Sequence, residues 1–180
     1  DDGSPDRSPD ICDAYVVKDK RVRVIHKKNG GLVAARNTGL LAATGEYICY
    51  IDGDDWVDSR LLETVHTRGI EKHDPDMVVF GFSKVFHDHI EGFMDALEEG
   101  VYSKERLTER VYPYMMYDNR RPFCSGLIFP VAWNKIYRRE FLLNHYCTEE
   151  KIRMGEDNAF VYECVWHSQK IYICNETLYF

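Results

Sequence analysis

The stretch Tyr47-Ile48-Cys49-Tyr50-Ile51-Asp52-Gly53-Asp54-Asp55 decides how this 180-residue chain is read. Its apolar run reads as a buried strand, and the strand delivers three carboxylates within four residues at its carboxyl end. Carboxylates crowded there repel one another and lose hydration, which is costly unless a cation or a hydrogen-bonding ligand compensates them. In an open α/β sheet, ligands bind beyond the carboxyl ends of the strands, so position and composition both suit a metal or ligand site. The blander alternative is a strand-to-helix loop whose aspartates make turns and caps, because Asp is common in both settings.

Upstream of this stretch, residues from about Ser8 to Val17 read as a short helix and Val22-Arg23-Val24-Ile25-His26 alternates as a strand. The loop Lys27-Lys28-Asn29-Gly30-Gly31 lets backbone approach a ligand closely. A helix follows from Leu32 to Ala43, with Ala35, Gly39 and Ala43 facing inward for tight packing on a sheet, and Thr44-Gly45 ends it. Downstream, Asp58 caps a helix running to about His73 with Leu61, Leu62 and Val65 inward, and Asp74-Pro75-Asp76 breaks the chain before a strand from Met77 to Phe82. This alternation predicts an α/β fold with a mainly parallel sheet covered by helices on both faces.

Beyond Phe82 the pattern gives a helix from Ser103 to Tyr117, a Pro-containing stretch from Arg121 to Pro130, and a strand from Val131 to Tyr137. A helix near Arg138 to Leu143, another from Glu156 to His167 and a last strand around Ile171 to Cys174 complete it. The triplet His87-Asp88-His89 reads as a solvated hairpin, since successive strand residues point to opposite faces. With no internal repeat or low-complexity linker, the whole chain reads as one domain.

Composition narrows the function. Hydrophobic residues at 44% and charged residues at 29% are globular values. A formal net charge of -7 argues against a protein that grips nucleic-acid backbones, which requires many Lys and Arg contacts. A compact phosphorylated ligand stays compatible with acidic residues when a divalent metal screens it. No segment is long or apolar enough to span a bilayer. Cys12, Cys49, Cys124, Cys147, Cys164 and Cys174 make no CxxC pair, so they read as reduced core thiols of a cytoplasmic protein, and no zinc site is expected.

Several motifs line up in order: Asp1-Asp2-Gly3-Ser4, Asn29-Gly30-Gly31 to Ala35-Arg36-Asn37-Thr38-Gly39, Gly45-Glu46-Tyr47 to Asp52-Gly53-Asp54-Asp55-Trp56, Trp133-Asn134-Lys135-Ile136-Tyr137, and Gly155-Glu156-Asp157. Together they resemble the family 2 glycosyltransferases of GT-A fold, in their bacterial polysaccharide-building branch. The resemblance implies transfer of a sugar from a nucleotide-diphospho-sugar, with uridine the family's habitual base, to a saccharide or lipid-linked saccharide hydroxyl. Inversion at the anomeric carbon and a Mn2+ or Mg2+ ion belong to the same expectation.

Carried onto matching positions, the resemblance gives Asp2 the nucleotide base, Asp52 the ribose, Asp54 the metal with Asp55 in support, and Arg36 a contact to the nucleotide or its phosphates. Asp157 takes the place of the catalytic base, and residues 1–82 and 83–180 become donor and acceptor halves. Trp133, Lys135 and Glu156 are candidate acceptor-side contacts. Each has a structural alternative: Glu156 and Asp157 as helix N-terminal charge, Arg36 as a surface residue, and Asn134 and Lys135 as exposed residues at a strand end. A family 2 domain opens with two strands and a helix before Asp-Asp-Gly-Ser. The chain therefore reads as a fragment with an unpaired sheet edge, expected to self-associate and to derive from a protein at the inner membrane face. Rival functions are a non-catalytic nucleotide-sugar-binding or interaction module, and a nucleotidyltransferase or phosphate hydrolase using the same acidic cluster.

Overall fold

A computed structural model of the chain describes residues 1–120, 126–149, 152 and 154–180. Cys124, and the part of the Arg121 to Pro130 stretch up to residue 125, lie outside the described residues. Contacts divide the chain into two units, Asp1–Thr44 with Cys147–Glu156, and Gly45–Tyr146 with Asp157–Phe180.

The larger unit is built on a sheet of β1 (Tyr47–Cys49), β2 (Met77–Val85), β3 (Ile90–Phe93), β4 (Gly100–Ser103), β5 (Lys135–Arg138) and β6 (Lys170–Tyr179). Its order is β1-β5-β2-β6-β4, with β3 added on β2. The α/β class holds, but the expected mainly parallel pairing is corrected. Among the described strands β2 and β6 pair in parallel, and the other pairs are antiparallel. Because β5 runs antiparallel to both β1 and β2, these two point the same way, as the strand-helix-strand reading requires. The sequence expectation lacked the insertion of β5 between them, a pairing across about 90 residues that local periodicity does not encode.

Met77 to Ser83 of β2 is buried without interruption, as expected for a central strand covered on both faces. Val78, Phe80 and Phe82 join Ile136, Tyr172 and Cys174 in a core that also takes Leu61 and Val65. The latter two belong to α3 (Leu61–Val65), which continues as a π-helical turn, His66–Ile70, and a last turn α4 (Glu71–His73). The expected Asp58 cap is corrected: Arg60 is the N-cap and the helix start has no side-chain cap bond, Asp58 instead accepting the Arg60 N–H at 2.8 Å in the turn before it, and Leu62 is exposed. Asp74, at φ 48°, ends it. Asp76 then ties three strands, because its carboxylate accepts the Gln169 and Lys170 N–H groups and its carbonyl accepts the Arg138 N–H.

The remaining helices of this unit are α5 (Lys104–Arg110), α6 (Arg139–His145) and α7 (Glu156–His167). The Ser103 side chain accepts the Arg106 N–H to start α5, which stops well before Tyr117 and gives way to a 3₁₀ turn at Tyr112–Tyr114. Phe86 and His89 close the β2–β3 hairpin, with His89 bonded to Asp88 and Glu91. A functional boundary after Phe82 falls inside β2 and is not a structural one.

The smaller unit carries α1 (Ser8–Lys18) and α2 (Leu32–Ala42). Val22 to His26 does not form the expected strand. Alternation favours extended backbone, but a ladder needs a neighbour, and this segment meets Asp1 through two bonds, Asp1 N to Ile25 O at 2.9 Å and Lys27 N to Asp1 O at 3.1 Å. The inward face expected of α2 is also corrected. Val33, Ala34 and Leu40 are its buried residues, while Ala35 and Gly39 line an open cavity of about 560 Å³ shared with Ile11, Tyr15 and Ile25.

Candidate active site

The acidic loop leaves β1 through Tyr50 and Ile51 and is clamped by the far end of β6. The Asp52 N–H donates to the Tyr179 hydroxyl at 2.9 Å, and that hydroxyl donates to Asp55 Oδ2 at 2.8 Å. Reciprocal backbone bonds join Trp56 and Phe180, whose rings stack at 5.8 Å, and the Asp58 N–H bonds the Leu178 carbonyl. Tyr179 is only 1% exposed, and burial together with the adjacent Asp55 and Asp52 carboxylates pushes its hydroxyl pKa far up, keeping it a neutral donor. The Asp54 carboxylate, by contrast, is exposed and makes no hydrogen bond or ion pair among the described residues.

Asp157 opens α7, where its Oδ2 accepts the Ala132 N–H at 3.2 Å. The next residue, Trp133, stacks on the Tyr179 ring at 4.6 Å and meets Phe82 edge-on at 4.8 Å. Ala132, Trp133 and Tyr179 therefore form an unbroken path from Asp157 to the acidic loop. A second link runs beneath it, since Tyr50 lies edge-on to Phe160 of α7 at 6.0 Å and to Tyr137 at 6.1 Å. Half-buried Glu156 stands one residue before Asp157.

Lys135 is not at a strand end in solvent and offers no acceptor-side contact. It is 0% exposed, and its Nζ donates to the Phe129 carbonyl at 2.7 Å, the Val131 carbonyl at 2.9 Å and Asn134 Oδ1 at 2.5 Å. Burial pushes its ammonium down to about 8, an effect that the nearby Asp95 and Asp157 carboxylates partly oppose. Asn134 is equally buried and donates to the Phe80 carbonyl at 3.0 Å. The apolar neighbours chosen for a strand interior are thus joined by a cation whose three donors meet three acceptors. This brace fixes the turn from Phe129 to Asn134 on which Asp157 rests.

In the smaller unit, Asp2 holds the glycine loop. Its Oδ1 takes the Lys27 ammonium at 2.5 Å and the Gly30 N–H at 3.0 Å, and its Oδ2 takes the Gly31 N–H at 2.8 Å. The Lys27 bond first, and then the Gly30 N–H, keep its carboxyl below the usual carboxylate range. Gly31, at φ 89°, occupies a left-handed backbone that a side chain disfavours, and it turns the loop into α2. Arg36 lies half-buried on α2 with interactions of its own.

Sequence reasoning named Asp52, Asp55 and Asp157 but missed Tyr179, which joins them. It lies beyond the strand expected to end near Cys174, and nothing local announced a partner 127 residues away. The thiols of Cys49 and Cys174 are pushed up to about 12 and about 11 by burial, consistent with inert core cysteines; Cys12, Cys147 and Cys164 are also free. No described helix is long and apolar enough to cross a membrane.

Comparison with known proteins agrees with this architecture. The uncharacterized glycosyltransferase EpsJ of Bacillus subtilis is 36% identical over 180 residues, a match that covers 99% of this chain and 49% of EpsJ. The cholesterol galactosyltransferase of Borreliella burgdorferi is 29% identical over 182 residues, with 99% and 49% covered. The crystal structure of Staphylococcus aureus TarS 1-349 in complex with UDP matches with a TM-score of 0.74 at 22% identity, over 99% of this chain and 48% of TarS 1-349, which shows a shared GT-A fold. The chain thus spans about half the length of these relatives. The sequence family described as glycosyl transferase family 2 matches residues 1–145, and the chain belongs to that family.

Proposed function

We propose that this chain carries the donor site and the base of a metal-dependent inverting glycosyltransferase. The donor is a nucleotide-diphospho-sugar, with UDP as the nucleotide, and the product extends a cell-surface polysaccharide at the inner face of the membrane. The observation that carries this reading is the path Asp157, Ala132, Trp133, Tyr179, Asp55, which links a carboxylate suited to proton removal with one suited to a cation.

The acidic loop fits a hard divalent cation. Mg2+ and Mn2+ keep several waters and bind through one or two carboxylates plus substrate phosphates, and one exposed Asp54 beside a half-engaged Asp55 offers that set. When bound, the ion acts as a Lewis acid on the diphosphate and offsets charge on the leaving group. The chain's own residues do the rest. Asp52 orients the ribose, Asp2 reads the base, and Arg36 meets the phosphates. Asp157 accepts the proton of the acceptor hydroxyl as it attacks, a contribution of about 10²- to 10⁴-fold. The Ala132 N–H, bonded to its Oδ2, fixes where that carboxylate stands. Trp133 and Glu156 border the acceptor.

Calorimetric titration of UDP, GDP and their sugars with and without Mn2+, followed by product analysis, tests the proposal. Mn2+-dependent binding of a UDP-sugar and formation of a glycosidic product support it. Metal-independent binding, or release of free sugar or phosphate without transfer, refutes it.

A further inference from the structure

We propose that His145, Glu163 and His167 form a second metal site, of zinc class, at the carboxyl ends of α6 and α7. Each residue offers one ligand atom, and the three atoms lie within 4.8 Å of one another. His145 is the last residue of α6 and His167 the last of α7, with Glu163 one turn earlier on the same helix. The two imidazoles lie face to face with centroids 4.6 Å apart and an interplanar angle of 14°. Glu163 Oε1 is 3.0 Å from His167 Nε2.

The backbones beneath these ligands are fixed, so binding needs side-chain rotation alone. Buried Cys164 reaches the His145 carbonyl with its Sγ at 3.9 Å, pinning the end of α6 to α7. Ser168 bonds the Cys164 carbonyl at 2.8 Å, and the Gln169 N–H bonds Asp76, which anchors the end of α7 to the sheet. Zinc bonds to nitrogen and oxygen of about 2.0–2.2 Å place tetrahedral ligand atoms roughly 3.3 Å apart, so the present spread contracts by at most about 1.5 Å. The His167 and Glu163 side chains, 42% and 55% exposed, have the freedom to make that adjustment.

The donor set chooses the metal. Two imidazoles and one carboxylate suit borderline-soft Zn2+ in tetrahedral coordination with water in the fourth position, whereas Mg2+ and Mn2+ favour the all-oxygen acidic loop. An ordinary helix-surface ion pair accounts for Glu163 with His167. The second imidazole, brought against the first from another helix, supplies a further nitrogen, and one ring must turn out of the stack for both in-plane lone pairs to reach the ion.

The test is calorimetry of the full chain with ZnCl2 near neutral pH, beside Cys12→Ser/Cys147→Ser and His145→Gln/His167→Gln. One equivalent of Zn2+ should bind with Kd tighter than about 10 μM. Affinity should survive the cysteine changes and fall at least about 100-fold in the histidine variant, since losing even an outer-shell partner costs about 10- to 100-fold. Circular dichroism in chelator shows whether the histidine variant stays folded. If it does not, Glu163→Gln alone must lower zinc affinity by 10-fold or more. Zinc binding weaker than about 1 mM, or equal affinity in parent and folded variant, overturns the proposal.

Discussion

Replacing Tyr179 by Phe removes one oxygen and leaves the ring, its stack on Trp133 and the backbone of β6 in place. Two bonds are lost, the Asp52 N–H at 2.9 Å and the bond to Asp55 at 2.8 Å. A neutral bond contributes about 0.5–1.5 kcal/mol and one to a charged group about 1.5–3 kcal/mol, giving about 2–4.5 kcal/mol if nothing replaces them. Asp52 and Asp55 are only half-buried, so water recovers part of this, and the expected loss is about 2 kcal/mol. With a urea m-value of about 2 kcal/mol/M, the unfolding midpoint should drop by about 1 M at unchanged slope. Because the loop that carries Asp54 then loses its bonds to the Tyr179 hydroxyl, Mn2+-dependent nucleotide affinity should weaken in parallel. A variant within about 0.5 kcal/mol of the parent, with the same nucleotide affinity, would show that the hydroxyl does not clamp the loop.

Gly81→Ala should destabilise the chain by about 2 kcal/mol or more, read by urea unfolding, because a Cβ there meets the Phe93 carbonyl oxygen at 2.8 Å and that of Glu176 at 3.1 Å, both backbone atoms in the sheet. Asp157→Asn should leave nucleotide affinity unchanged while lowering transfer by at least about 10²-fold; equal turnover in parent and variant would remove its assignment as base. The Lys135 ammonium loses its proton near pH 8 when folded and near 10.5 when unfolded, so between these values the unfolded chain binds more protons and stability rises with pH. The rise attributable to this group is about 3 kcal/mol, and Lys135→Met should abolish it in chemical denaturation at pH 7.5 and 10.

Helix ends were legible wherever a cap or a break announced them. Ser8 with Pro9, Thr44-Gly45, Asp74-Pro75 and Gly155-Glu156 bound helices close to where the residues predicted them, because caps act within a turn of the chain. The strands from Tyr47 and from Met77 were equally plain as apolar runs. What the residues could not announce was who pairs with whom. β6 runs 10 residues to Tyr179, well past the predicted Cys174, since its distal half is held by β2 and by a bridge to Val57 rather than by its own composition. Lys135 carries the strongest polar side chain in its segment yet sits at the centre of the unit. A sequence-based burial estimate penalises the charge without seeing the three carbonyl acceptors that meet it.

Among the site residues, the ones legible in sequence were the carboxylates, and the ones hidden were the groups that hold them. That division has a physical cause. A carboxylate that serves a cation or a substrate hydroxyl must stay accessible, so it stands in a polar turn and marks the sequence. Its positioning group must be rigid, and rigidity comes from burial, where an aromatic residue looks like any other core residue. Tyr179 and Trp133 are of this kind: each occupies core-like surroundings, yet one polar atom of Tyr179 holds Asp55, and one face of Trp133 stacks on Tyr179 next to the Ala132 N–H that holds Asp157. The same logic governs Lys135, whose charge serves the turn beneath Asp157 and never reaches solvent. Loss of such a group should move the position of a carboxylate before it changes any property of the carboxylate itself.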